Sequence, residues 1–118
     1  MQGKKTWMIA DGYMSDTKKG EFVSHEAVCV LNLSGAEAHI DLTFYFEDRE
    51  PLCGFHAVCA DQRTNHIRLD KMKNTDGIAV PRSTPYAILV ESDQPIIVQC
   101  SRLDVSQPEY ALMTTIAY

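Results

Sequence analysis

The stretch Pro85-Tyr-Ala-Ile-Leu-Val-Glu-Ser-Asp-Gln-Pro-Ile-Ile-Val-Gln-Cys-Ser-Arg-Leu-Asp104 decides the fold. Its two apolar, β-branched runs, Tyr86 to Val90 and Ile96 to Cys100, have strand length and strand composition. Between them, Glu91 to Pro95 carries turn chemistry. Ser92 and Asp93 can bond their own backbone, and Pro95 has no N–H to give a ladder. This pattern predicts a β-hairpin with a short loop. Odd and even positions are both apolar, so both faces are expected to be covered. Beyond Cys100 the run turns polar, with Ser101, Arg102 and Asp104. Arg102 shares its side with Val98 and Cys100, whereas Leu103 shares its side with Gln99 and Ser101. That switch predicts a bulge, or an exit from the sheet, that re-aims Arg102.

Outward from this stretch the same grammar repeats. Trp7 to Ala10 reads as a short strand ended by Asp11-Gly12, and Tyr13 to Gly20 reads as a polar loop. Glu21 to Asn32 reads as a strand apolar on both sides. His39 to Glu47 alternates cleanly, with Ile40, Leu42, Phe44 and Phe46 on one face and His39, Asp41, Thr43 and Tyr45 on the other. Phe55 to Ala60 and Thr64 to Leu69 are short strands on either side of a turn at Asp61 to Thr64. Asp70 to Thr84 is loop, with a single helical turn near Asp70-Lys-Met-Lys73. The polar connection Asp104 to Glu109, with Pro108, leads into a last strand, Tyr110 to Tyr118. The sum is about eight short strands and no helix. The expected class is all-β: an antiparallel β-sandwich, jelly-roll-like or Greek-key, in one domain over residues 1–118 with residues 1–6 frayed.

Composition narrows the function classes. The hydrophobic fraction of 45% and charged fraction of 23% over 118 residues are those of a globular domain. The net charge of −5, with basic pairs only at Lys4-Lys5 and Lys18-Lys19, disfavours nucleic acid as a partner. No apolar run approaches the roughly 20 residues of a membrane span, and the start lacks the apolar core of a signal peptide. A cytoplasmic location is expected. None of Cys29, Cys53, Cys59 and Cys100 forms a C-x-x-C pair. Reduced thiols are expected, with Cys29 and Cys100 buried, and neither a metal site nor any cofactor.

No nucleophile elbow, phosphate loop, dinucleotide fingerprint or H-E-x-x-H helix is present, so no catalytic residue is assigned and an enzyme is not expected. The residues singled out for ligand or partner binding are His25, Glu26, His66, Arg68, Arg102 and Asp104. In a functional role the planar fork of Arg102 would grip an anionic group. In a structural role Arg102 pairs with Asp104 or Glu26 and pins strand ends. The structural role is preferred, because buried polar groups are as a rule paired.

Phe22-Val-Ser-His-Glu-Ala-Val-Cys-Val-Leu-Asn32, Arg63-Thr-Asn-His-Ile-Arg68, Pro95-Ile-Ile-Val-Gln99, Ser101-Arg-Leu-Asp104 and Ala111-Leu-Met-Thr-Thr-Ile-Ala-Tyr118 resemble the sensory rhodopsin transducer family. The resemblance covers Trp7 to Tyr118. It implies a bacterial, cytoplasmic all-β sandwich that assembles as a homotetramer. The implied role is non-enzymatic signalling by protein–protein contact, with the cytoplasmic face of a membrane photoreceptor or another signalling protein as partner. The alternative reading is a β-sandwich that binds a small ligand, a carbohydrate or an anionic metabolite.

Overall fold

Tyr86–Asp104 is a single strand of 19 residues, and every other strand but two pairs with it directly. The computed structural model describes residues 2–17, 20–107 and 109–118; Met1, the Lys18-Lys19 pair and Pro108 lie outside them. Among the described residues the strands are β1 (Lys4–Gly12), β2 (His25–Asn32), β3 (Ala38–Phe46), β4 (Leu52–Cys59), β5 (Arg63–Arg68), β6 (Tyr86–Asp104) and β7 (Ala111–Ile116). All pair antiparallel. A single 3-10 turn, Leu69–Lys71, stands where the lone helical turn was expected. The all-β expectation holds.

The hairpin does not. The first half of β6 pairs with β3, from Tyr86 opposite Phe46 to Ser92 opposite Ile40, and with β1. The second half pairs with β2, from Ile97 opposite Leu31 to Leu103 opposite His25, and with β7. The two halves are not ladder partners of each other. They belong to two sheets that β6 itself joins into one continuous seven-stranded order, with β4 beyond β3 on one side and β5 beyond β2 on the other. Merging the two predicted runs is why there are seven strands rather than about eight.

The segment between the runs keeps its turn chemistry but spends it on a bend. Ser92 Oγ accepts the Gln94 N–H at 3.2 Å. Asp93 Oδ1 accepts the His39 N–H at 2.8 Å, and its Oδ2 lies 2.9 Å from His39 Nδ1. Opposite the bend, β1 changes register abruptly, Lys4 facing Ile96 while Thr6 faces Glu91. Pro95 falls between the β3 and β2 ladders, where its missing N–H leaves no ladder bond unmade.

The side-chain period of two survives the bend. Tyr86, Ile88, Val90, Ile96, Val98 and Cys100 are all buried. They face the inner residues of β3, Ile40, Leu42 and Phe44, and of β2, Val28 and Val30. Phe44 packs edge-on against Phe55 and Tyr86, with ring centroids 5.0 and 5.2 Å apart. Reciprocal backbone bonds between Met8 and Tyr118 join β1 to the end of the chain and curl the assembly towards a barrel.

Three smaller expectations also fail. Lys4 to Thr6 belong to β1 rather than fraying. β2 begins at His25, leaving Phe22 and Val23 exposed, with Phe22 edge-on to Tyr110. No bulge re-aims Arg102, because the register from Ile97 to Leu103 is unbroken against β2.

The bend is open to titration. The Asp93 hydrogen bond, then its charge, raises the His39 pKa above the ordinary 6.5. A raised pKa means the clamp contributes fully below pH 6.5 and fades as pH rises through the folded value. At the acid end, the His39 N–H and then its ring lower Asp93 below 3.8, so that contribution fades as pH falls through the lowered value. An NMR titration of His39 should show a midpoint above 6.5 that Asp93→Asn moves down. An unchanged midpoint in that variant would show that Asp93 does not hold the ring.

Candidate functional site

Glu26 on β2 stands directly opposite Arg102 on β6. Its side chain is only 1% exposed. A carboxylate that deep needs partners for both oxygens. Tyr86 Oη–H donates to Oε1, and Arg102 Nε–H donates to Oε2 at 2.7 Å. Arg102 also donates from Nη2 to the Asp11 carbonyl at 3.2 Å and reaches its carboxylate at 3.4 Å. Gly12 permits this packing. A Cβ there would lie 2.2 Å from the Tyr86 ring.

The electrostatics follow the burial. Desolvation, then the Glu26 charge, pushes the Tyr86 hydroxyl far above its usual range. The same two causes push the Cys100 thiol up to about 12. Burial is the largest single influence on Arg102 and works against its charge, but the bond and charge of Glu26 together with those of Asp11 outweigh it, and the net shift is upward. Asp11, Glu26, Cys100, Arg102 and Met113 close around this spot and leave no room for even a water-sized ligand. The arrangement is a closed ion pair inside the fold. The Glu26 pairing expected for Arg102 in a structural role is present, with Asp11 as a second partner, and among the described residues Arg102 makes no ion pair to Asp104.

A second cluster forms where β5 enters the 3-10 turn. Arg68 grips Asp70 with its fork, Nε and Nη2 donating at 2.8 and 2.9 Å. Arg82 approaches from the loop before β6, its Nη2 4.0 Å from Asp70 Oδ2. Its Nη1 donates to the carbonyls of Ser15 and Ser24 at 2.9 and 2.8 Å. Burial alone would raise Asp70, but the bonds and charge of Arg68, with a smaller contribution from His25, leave it below 3.8. His25 Nδ1 lies 3.2 Å from the Val23 carbonyl.

The six sequence candidates therefore divide. Glu26 and Arg102 meet in the buried pair. Arg68 grips Asp70 beside Arg82, and the β2–β5 register puts His25 on the same face as Arg68; Asp70 and Arg82 belong to the stretch that the sequence pattern reads as loop. His66 is exposed on β5, opposite Cys29. Asp104 accepts the Ser106 N–H at 2.8 Å, and that bond lowers its pKa. Neither joins a cluster. Of the thiols, Cys59 and Cys100 are buried and Cys53 is exposed, but Cys29 is only half-buried, against expectation. Among the described residues no group of three His, Cys, Asp or Glu side chains is placed to hold a metal ion, and no helix is long and apolar enough to cross a membrane.

The sequence profile of the Anabaena sensory rhodopsin transducer family matches residues 2–118. The chain belongs to that family. Its fold is similar to the crystal structure of Thermotoga maritima 1070, at 40% identity and a TM-score of 0.88, over 100% of this chain and 96% of that one. It is also similar to the Anabaena sensory rhodopsin transducer, at 36% identity and a TM-score of 0.77, over 92% of this chain and 95% of that one. A search among curated protein sequences gives no significant match. The resemblance drawn from the strand motifs is thus confirmed across the whole family match.

Removing one partner of the buried pair leaves a charge without compensation. Arg102→Ala should lower unfolding stability in urea by about 3–5 kcal/mol, and Arg102→Met with Glu26→Leu should restore much of the loss. A loss below about 1 kcal/mol in the single variant would mean that the pair does not hold the sheets' ends.

Proposed function

We propose that this member of the transducer family is a non-enzymatic signalling module, one β-sandwich domain that works in the cytoplasm by protein–protein contact as a homo-oligomer. A tetramer is the form the family resemblance suggests. The partner to be sought is the cytoplasmic face of a membrane photoreceptor or another signalling protein.

The observation that supports contact is β7. Its six residues, Ala-Leu-Met-Thr-Thr-Ile, carry no charge and no proline, and all are exposed. Leu112 is 75% exposed and Ile116 67%. Among the described residues β7 pairs only with β6, so its other edge is unpaired. An apolar, uncharged edge strand is a template for another chain unless something covers it. Next to the chain's end, Met8, Ala10, Tyr45, Ala87, Leu89 and Tyr118 line an apolar groove of about 470 Å³. The buried Glu26 carboxylate is enclosed by Tyr86 and Arg102 and is not offered to a substrate.

Light scattering at micromolar concentration should give the mass of several 13.3 kDa chains, four on the tetramer reading. Leu112→Glu with Ile116→Lys should split the assembly while leaving the fold intact. A stable single-chain species in the unmodified protein would contradict the proposal.

A further inference from the structure

The Asp70 cluster holds more positive charge than its one carboxylate needs. Asp70 has a side chain 5% exposed and is already satisfied by the Arg68 fork. Arg82 adds a second guanidinium, and the β2–β5 register, with Ala27 opposite Arg68, puts His25 on the same face of the sheet as Arg68. Each guanidinium has five N–H donors. Arg68 directs two at Asp70, and Arg82 directs two at the Ser15 and Ser24 carbonyls. Among the described residues that leaves three N–H groups on each without a protein acceptor. Both side chains are about one-third exposed, 33% for Arg68 and 31% for Arg82.

The two edges are also close. Both Nη2 atoms approach Asp70 Oδ2, at 2.9 and 4.0 Å, so they cannot be more than 6.9 Å apart. A single tetrahedral oxyanion that accepts bonds of about 2.8 Å from both can bridge that gap. Asp16, in the loop that Ser83 and Arg82 tie down, makes no ion pair with Arg82 among the described residues. In a chain of net charge −5 this is a local patch of the opposite sign.

We propose that the free edges of Arg68 and Arg82, together with the His25 imidazole, form a binding site for a small oxyanion, inorganic phosphate or a phosphomonoester. Both arginines are fixed beforehand, Arg68 by Asp70 and Arg82 by two backbone carbonyls, so little side-chain freedom is lost on binding. The site is separate from the β7 surface and stands or falls independently of it.

The test titrates the full chain with inorganic phosphate, and in parallel with phenyl phosphate, at ionic strength held constant with chloride. The His25 ring signals are followed by NMR. Saturable shifts with a dissociation constant of about a millimolar or tighter are expected, with His39 unaffected. Arg82→Gln should weaken binding about tenfold or more, and Arg82→Lys, which keeps the charge without the fork, should weaken it in part. Binding of both probes identifies a site open to esters, and binding of phosphate alone identifies a site for the free ion. No saturable shift in the unmodified protein up to about 50 mM overturns the proposal, and so does an affinity unchanged in Arg82→Gln.

Discussion

The fold depends on one strand serving two sheets. If β6 ran straight, Tyr86 and Arg102 would stand about 50 Å apart at roughly 3.3 Å per residue. The longest dimension of the fold is 42 Å, and both side chains bond the same carboxylate. The strand must therefore bend sharply and lay its halves on facing sheets. Even-numbered positions stay inward on both sides of the bend, so one alternation lines the whole core. The bend carries polar residues because its backbone has no regular ladder to satisfy it. Asp93 and Ser92 provide part of what the ladder does not.

Glu26 ties the ends of that arrangement together. It belongs to β2, Arg102 to the second half of β6, and Tyr86 to the first half. A slip of one residue in the β2–β6 register would put Glu26 on the outer face and leave Arg102 without its acid. A buried ion pair is weak evidence of added stability, since desolvation offsets much of the attraction. Its effect here is to make one register far better than its neighbours. The second cluster does related work for the loops, with Arg82 joining the segments around Ser15 and Ser24 to the end of β5.

Much of this was legible in the sequence. The alternation from Ile40 to Phe46 gave β3 its inner face directly, and Ile67 and Leu69 were correctly placed inward. Glu26 was a candidate partner of Arg102 because acid and base lay on strands that could pair. The error at Glu91 to Pro95 has a physical cause. A turn within one sheet and a bend between two sheets need the same local chemistry, and only the long-range ladders tell them apart. Arg82 and Asp70 were missed because their meeting depends on how a loop without periodicity folds back. Phe22 and Val23 misled through apolar composition, although they sit outside the sheet. The motif resemblance, by contrast, reached the family correctly, because several segments in fixed order constrain more than any one strand.

Cross-strand backbone NOEs test the central claim, that the halves of β6 lie in different sheets, most directly. The account predicts contacts linking Val90 to Leu42 and Trp7, and Val98 to Val30, the ladder neighbours on either side of the bend. Ladder NOEs between Tyr86–Val90 and Ile96–Cys100 themselves would contradict it, since they would mean that the two runs pair with each other as a hairpin.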